Sequence, residues 1–562
     1  MLSLEQWREE FRPEEFPWLL LGKGPSFERL HEFDASAYAA CALNHVIRER
    51  SVTVAHAVDL EVVLECAEAI DAHARFLLLP RRPHLGFRPG PPLEQHLRRV
   101  PLLRKLSAER RLVAYALDPD PARPRRVRHF SAELALEALL RCGVRTVRTL
   151  GVDGGSGYGA PFADLAQRTR LAAGHASYDL QFEGIARLLR EHDVLFGPLD
   201  LSLPVRVFVG ADEAQRLPAR VLEYSLRCHA RASLRVERID GAQLSRPRRP
   251  EHRTRTGFSF ARFEIPQRCE YRGRAFYLDA DMLVFGDLLE LWRGENTAPV
   301  RYAPQPAGRE AARFSLLLLD CERLDWDPES IVRGLDEGRY SYEELLWDLA
   351  AACPTDLRAD LPPAWNSPER YSPGRTKLLH YTDMPRQPWV SRRNPLAPLW
   401  YSAARRALDE GFLAASELED AVRRGEVSPL LPSWLGLSSA PGAHRRALNW
   451  RAPWERRCGG APPRRLVAGR QAFAGLRDAV RDAVWPRAPL LRRVEGLRVR
   501  HGGWSPLGRR ALHLLWALAR ERAGLLPPGP GTSPAAARRP VPGPRPLRSP
   551  QGSRGEAIGG RP

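Results

Sequence analysis

The sequence predicts an α/β protein made of two similar units followed by a basic tail, and three observations carry that prediction. Short apolar runs alternate with amphipathic stretches from Trp18 to about Phe412, a break marked by Pro198 and Pro204 divides them into two series, and beyond Phe412 the composition turns to Arg, Pro, Gly and Ala. At 562 residues the chain also exceeds what one hydrophobic core usually supports, so two globular units with additional material are expected.

In the first series, WLLLG, VTVAH, RFLLL and VRTLGVD read as strands, and LEVVLECAEAI, SAELALEALLR and LQFEGIARLLREH carry apolar residues at three-to-four spacing and read as helices. A Pro/Arg-rich stretch, RRPHLGFRPGPP, reads as a long loop among them. Strands alternating with helices predict a mostly parallel sheet that binds ligands at the carboxyl ends of its strands. The second series opens after FGPLDLSLP, which reads as a linker. It runs VRVFVGADE (strand and turn), LPARVLEYSLRCHA (helix), LRVERID (strand), FSFARFEIPQRC (helix), RAFYLDADMLVF (strand and turn), RFSLLLLD (strand), YSYEELLWDLAAA (helix) and KLLHYTD (strand). The expected units are 1–198 and 204–412, then a basic helical extension 413–525 and a disordered end 526–562, where apolar residues are too few for a core.

The formal net charge is +19, but residues 441–562 alone hold 25 Arg, no Lys and 6 acidic residues, which accounts for the whole excess. The body is formally neutral, which argues against a specific nucleic-acid partner. Eight scattered cysteines without a C-x-x-C pair argue against a zinc module or a disulfide framework, and most are expected to be small buried hydrophobes. The acidic start MLSLEQWREEFRPEEF is unlike a signal peptide, and no run approaches the ~20 apolar residues of a spanning helix, so a cytoplasmic chain is expected.

Asp279-Ala280-Asp281 ends the apolar strand RAFYL. Residues i and i+2 of an extended chain point to one side, so both carboxylates can face one ion, and hard oxygen ligands suit manganese or magnesium. Such an ion stabilises the charge that develops on a departing diphosphate. Two other D-x-D triplets, Asp118/Asp120 and Asp325/Asp327, follow no long apolar strand and read as solvated turns.

With these residues in order, the segment resembles glycosyltransferase family 8, the retaining enzymes that include glycogenin and the bacterial lipopolysaccharide hexosyltransferases. VRVFVGADE is similar to the opening strand and nucleoside-holding turn, FSFARFEIP to the helix with a donor-contacting arginine, FYLDADMLVF to the metal motif, LPPAWN to Leu-Pro-x-x-Trp-Asn, and HYTDMPRQPW to the closing motif. The resemblance implies a GT-A nucleotide-diphospho-sugar transferase fold for the second unit and a UDP-sugar donor with Mn2+ or Mg2+. It implies metal ligands at Asp279, Asp281 and His380, and donor contacts at Ala211, Asp212, Arg262, Asp279 and Asn366. It further implies transfer of a hexose, with retention, to a glycan or lipid-linked acceptor in envelope polysaccharide synthesis.

The chain departs from the pattern in the closing motif, where Gln387 replaces the phosphate-binding lysine and the glycine near Asp383 is missing. Arg386 is the candidate for the lost positive charge, since its fork suits phosphate. The family's Asn after the metal motif is absent, with Ser315 closest, and Tyr342-Glu343 stands where the family has Asp-Gln. Glu343 or Glu344 is the candidate carboxylate near the anomeric carbon, against their alternative as exposed charges.

In the first unit, LLLGKGPSFERL places Gly22 and Gly24 directly after a strand, which suits either a tight connection or close approach to phosphate. The loop resembles Gly-Asn-Gly-Pro-Ser of the family 42 sialyltransferases and related Rossmann-like domains. That implies nucleotide contacts at Gly22, Gly24, Ser26, Asn44 and Asp153, with His175 a candidate base and Lys23 in place of the motif's Asn. The tail segments LRDAVRDAVWPRAPLLRRVEGLRVR and RRALHLLWALARERAGLL read as basic amphipathic helices suited to an anionic membrane surface, against a solvated extension or non-specific RNA binding. The whole-protein alternative to an enzyme is a non-catalytic scaffold built of degenerate transferase domains.

Overall fold

A computed structural model describes residues 1–453 apart from 87, 117–129, 166–176, 243, 245–246, 250–251, 253–258, 306–312, 350–356 and 439–441. The elements below all belong to one compact unit, Met1–Val484. The expectations for Asp118/Asp120, for His175 and for the tail beyond 453 fall outside the described residues.

The first sheet is built of β1 (Leu2–Ser3), β2 (Trp18–Leu21), β3 (Ala39–Leu43), β4 (Val52–His56) and β5 (Ala74–Pro80); a hairpin of β6 (His84–Leu85) and β7 (Arg88–Pro89) intervenes before β8 (Leu112–Tyr115), β9 (Thr146–Leu150) and β10 (Leu195–Pro198). All eight strands of the main sheet are parallel, in the order β1-β8-β5-β4-β3-β2-β9-β10. Trp18 and Leu20 enter one core layer and Leu19 and Leu21 the other, so the continuous apolar run WLLL reflects a strand covered on both faces. The chain walks from β2 out to β8 and then returns to lay β9 against the other side of β2, which makes the carboxyl ends of β2 and β9 the topological switch point.

The second sheet holds β11 (Val205–Gly210), β12 (Leu234–Ile239) and β13 (Arg274–Asp279); a small separate sheet takes β14 (Met282–Val284); then β15 (Val300–Tyr302), β16 (Leu316–Asp320) and β17 (Leu357–Arg358) complete the second sheet, and β18 (Ser367–Pro368) and β19 (Leu378–His380) the small one. The second sheet runs β12-β11-β13-β16-β15-β17, with β16 antiparallel to β13 and β15, and the small one runs β14-β19-β18. Val205, Val207 and Val209 alternate with Phe208 between two core layers, as do Leu316 and Leu318 with Leu317 and Leu319.

The two sheets meet through β10: Phe196 N donates to Ser233 Oγ and Ser233 N to Phe196 O, each at 2.8 Å. Arg231 reaches Asp179 at 3.1 Å and Asp287 at 3.8 Å, tying a first-unit loop to the second unit.

Several elements differ from expectation. RRPHLGFRPGPP holds the β6/β7 hairpin, and FGPLDLSLP begins as strand β10, so the linker is shorter than its composition suggested. FSFARFEIPQRC forms a 3-10 turn, Ala261–Glu264, and one α turn, Ile265–Arg268, because Pro266 cannot donate a backbone bond to a longer helix. YSYEELLWDLAAA gives a single π-helical stretch, Glu344–Asp348, ended at Leu349 with φ 51°. Packing does not stop at 412: helices Ala415–Arg423, Leu431–Trp434 and Ala443–Asn449 follow, with Arg220 bonding Phe412 O at 2.8 Å and Ser428 N bonding Trp389 O at 2.9 Å. Asp327, read as part of a solvated turn, caps the helix Pro328–Asp336 by accepting from Ser330 N. Five of the six described cysteines are buried and all six are free. Among the described residues no helix is long and apolar enough to cross a membrane.

Candidate metal and donor site

Strand register assembles the central site. Gly210 on β11 pairs with Asp279 on β13, so the turn holding Ala211 and Asp212 lies beside the first carboxylate. β14 runs antiparallel to β19 with Met282 opposite His380, which brings His380 within one residue of Asp281 although they are far apart in sequence. Pro368 on β18 pairs with His380 as well, and this places Asn366 behind the imidazole.

One ligand atom from each of Asp279, Asp281 and His380 falls within 4.8 Å of the others. Asp279 Oδ1 accepts from Tyr277 Oη at 2.7 Å and lies 3.8 Å from Arg262 Nη2, while Arg262 Nη1 donates to Phe314 O at 3.1 Å. Burial pushes the Asp279 carboxyl above its ordinary range, with Arg262 opposing and Asp281 adding to the rise. On the other side, Asp281 Oδ1 stands 3.1 Å from His380 Nε2, and Asp281 Oδ2 accepts from Gln387 Nε2 at 2.9 Å. Burial of the His380 ring disfavours its charged form, but Asp281 and Asp279 outweigh that and hold its pKa above the usual value.

The donor set fits a hard divalent cation. Asp281 Oδ1 is buried and makes no aligned hydrogen bond, so its negative charge faces the imidazole without a fixed donor. His380 Nδ1 is 3.2 Å from Asn366 Oδ1; with the proton held there, the Nε2 lone pair is free for a metal. Two carboxylates and one imidazole with oriented outer partners form a set that could hold a divalent cation.

The remaining candidates are placed as follows. Ala211 is buried, and Asp212 caps the turn Glu213–Gln215 by accepting from Gln215 N at 3.2 Å. Arg386 is exposed and pairs with Asp383 at 3.6 Å, whereas its neighbour Gln387 is buried and turned to Asp281. Glu343 and Glu344 are exposed. Glu344 accepts from Ser341 N at 2.7 Å and closes a reciprocal cap, since its own N donates to Ser341 Oγ at 3.1 Å. Glu369 was not singled out from the sequence, yet it accepts from Asp383 N at 3.0 Å and from Asn394 Nδ2 at 2.9 Å, anchoring the segment that carries Gln387. Tyr277 was also missed; its position two residues before Asp279 on the same strand face was the available signal.

At the first sheet's switch point, Gly22 N donates to Leu150 O and Gly24 N to Gly151 O, both at 2.8 Å. A Cβ on Gly22 would lie 2.2 Å from Gly151 O, so the close approach of the two loops requires glycine. Ser26 spends its N and Oγ on Asp153 at 2.7 and 2.5 Å, and its Oγ also accepts from Gly151 N. Asn44 adopts φ 55° and accepts from Ser131 Oγ at 3.1 Å. Gly22, Gly24, Ser26 and Asp153 are thus brought together as an interlocked pair of loops. Lys23 projects beside them over the Tyr158 ring at 4.7 Å, and burial lowers its pKa.

No family model matches the sequence. No curated protein matches it either. Among solved structures, the glycosyltransferase GlyE of Streptococcus pneumoniae TIGR4 is similar at 17% identity and a TM-score of 0.29, over 39% of this chain and 64% of GlyE's. The apo bifunctional glycosyltransferase WbbM is similar at 12% identity and a TM-score of 0.30, over 46% of this chain and 63% of the other. Galactosyltransferase LgtC, in complex with donor and acceptor sugar analogs, is similar at 14% identity and a TM-score of 0.25, over 39% of this chain and 100% of that one. This chain spans less than two thirds of the GlyE and WbbM structures. Likenesses this low in identity and TM-score assign no activity.

Proposed function

We propose that the chain is a metal-dependent glycosyltransferase that moves a hexose, with retention, from a UDP-sugar to a glycan or lipid-linked glycan. The observation that carries this is the Asp279–Asp281–His380 cluster at the carboxyl edge of the second sheet, its outer positions filled by Asn366 and Gln387. Mn2+ or Mg2+ bound there supplies Lewis-acid neutralisation of the diphosphate leaving group. Ala211 and Asp212 take the nucleoside side of the donor and Arg262 the sugar-diphosphate side, where its guanidinium is already fixed by Phe314 O. Arg386, exposed and paired with Asp383, supplies a cation for the outer phosphate. Glu343 or Glu344 is the carboxylate for the developing positive charge at the anomeric carbon, and Glu344 has to leave Ser341 to act.

One observation favours the scaffold alternative: the position of the resemblance's phosphate-binding lysine holds Gln387, which is committed to Asp281 rather than to a ligand. Turnover of a panel of UDP-hexoses with Mn2+ or Mg2+, with the product anomer read by NMR, separates the two. Metal-dependent release of UDP with the α configuration kept supports the transferase, and absence of turnover and of UDP binding supports the scaffold. Including CMP-sialic acid tests whether the first unit's crevice, with Lys23 as its cation, takes a nucleotide of its own.

A further inference from the structure

Trp347 is the one described tryptophan that the fold leaves exposed. Trp347 is 43% exposed, while the nine other described tryptophans are buried or half-buried. Its turn is held down by Leu345, Leu346 and Leu349, which are buried in the core beneath, so the indole points away from the side that stabilises the turn. The part of the indole left in water forfeits the burial that would make it stabilising.

The turn is also tied at both ends to the segments that hold Arg262, on the Asp279 side of the metal site. On one side Tyr342 packs edge-on against Phe260, ring centroids 6.2 Å apart, two residues before Arg262. On the other, Asp348 Oδ1 lies 3.8 Å from Arg313 Nη1, and the next residue, Phe314, receives the Arg262 guanidinium through its carbonyl. Arg262 in turn faces Asp279. The turn itself is a π-helical stretch, a rare geometry found frequently at functional sites.

We propose that Trp347 is the stacking platform for a pyranose ring of the acceptor glycan, and so a specificity-determining residue of the transfer. The apolar C–H face of a hexopyranose is complementary to an indole face, and its hydroxyls remain in water, which suits an aromatic ring at a wet mouth. The proposal rests on the transferase assignment, so its test reads donor and acceptor separately.

The experiment compares wild type, Trp347→Ala and Trp347→Phe in acceptor-free hydrolysis of the UDP-hexose that wild type turns over, and in saturation-transfer NMR and acceptor titrations with lactose, maltose, cellobiose and N-acetyllactosamine. The expected result is unchanged metal-dependent hydrolysis and thermal midpoint in all three, contact of at least one saccharide with wild type, and a five- to tenfold rise in its KM or Kd in Trp347→Ala, about the size of one aromatic contact. Trp347→Phe recovers part of the loss. Equal saccharide affinity in wild type and Trp347→Ala overturns the proposal, as does wild type that hydrolyses donor but contacts none of the saccharides. Absence of donor hydrolysis in wild type overturns the transferase assignment and the proposal with it.

Discussion

Gln387 Nε2 donates to Asp281 Oδ2 across 2.9 Å and to the Tyr381 carbonyl across 3.1 Å, so a neutral amide orients the second carboxylate of the cluster. This fixes Asp281 before any cation arrives and leaves its other oxygen, Oδ1, turned to His380. Because outer partners orient metal ligands, Gln387→Ala should weaken Mn2+ binding by roughly 10–100-fold. Manganese titration followed by electron paramagnetic resonance checks this, and an unchanged affinity would mean that the amide serves only the local fold.

Arg262 is buried and holds two partners, Phe314 O and the Tyr277–Asp279 pair. Arg262→Ala leaves the Asp279 carboxylate without its cation in a buried setting and should cost about 3 kcal/mol in stability. Arg262→Lys keeps a charge but loses the fork. It is expected to retain most of the stability while losing donor affinity, and urea unfolding beside UDP-sugar titration separates the two effects.

Burial raises the Asp287 carboxyl to about 6 from an ordinary 3.8, with Leu289 N and Arg231 only partly offsetting it. A carboxyl whose folded pKa lies above its unfolded one contributes stability that is complete below the unfolded value and is lost as pH rises through the folded value. Asp287→Asn cannot ionise, so its stability should improve relative to wild type between about pH 4 and pH 7, by up to about 3 kcal/mol. Urea midpoints of both proteins at the two ends of that window test it; a difference that does not change with pH would contradict the burial account.

In the first unit, a methyl group on Gly22 meets backbone, Gly151 O at 2.2 Å, rather than a side chain able to move aside. Gly22→Ala should therefore spread β2 from β9 and destabilise by about 1–3 kcal/mol or more. Thermal unfolding measures the loss, and Mn2+ binding at the second sheet should persist at temperatures below the transition.

Much of this architecture was legible because burial leaves a pattern. The run LLLLD is buried at every position, VRVFVG alternates between two core layers, and Asp279-Ala280-Asp281 ends a strand as its apolar lead predicts. His380 could be linked to those carboxylates only through a family resemblance, because their meeting depends on the β14–β19 register, a pairing across almost a hundred residues. The YSYEELLWDLAAA segment is helical from Tyr342 to Asp348 as its apolar spacing suggests, but that spacing does not encode the π geometry of Glu344–Asp348 or the left-handed Leu349. The contacts that hold the helices between Ala415 and Asn449 to Arg220 and Trp389 are long-range, so local composition could not show them. Ser26 and Asp153 were found as nucleotide candidates, but their mutual bonds show a loop lock that neither residue's local sequence encodes.

In the proposed function, Asp279, Asp281 and His380 form the cation site that holds a nucleotide diphosphate. Calorimetric titration of UDP into wild type and Asp281→Ala, each with saturating Mn2+ and with chelator, tests it most directly. UDP binding is expected to require Mn2+ in wild type and to fall by at least about 100-fold in Asp281→Ala; equal UDP affinity in the two proteins, or binding indifferent to metal, rules the cation site out.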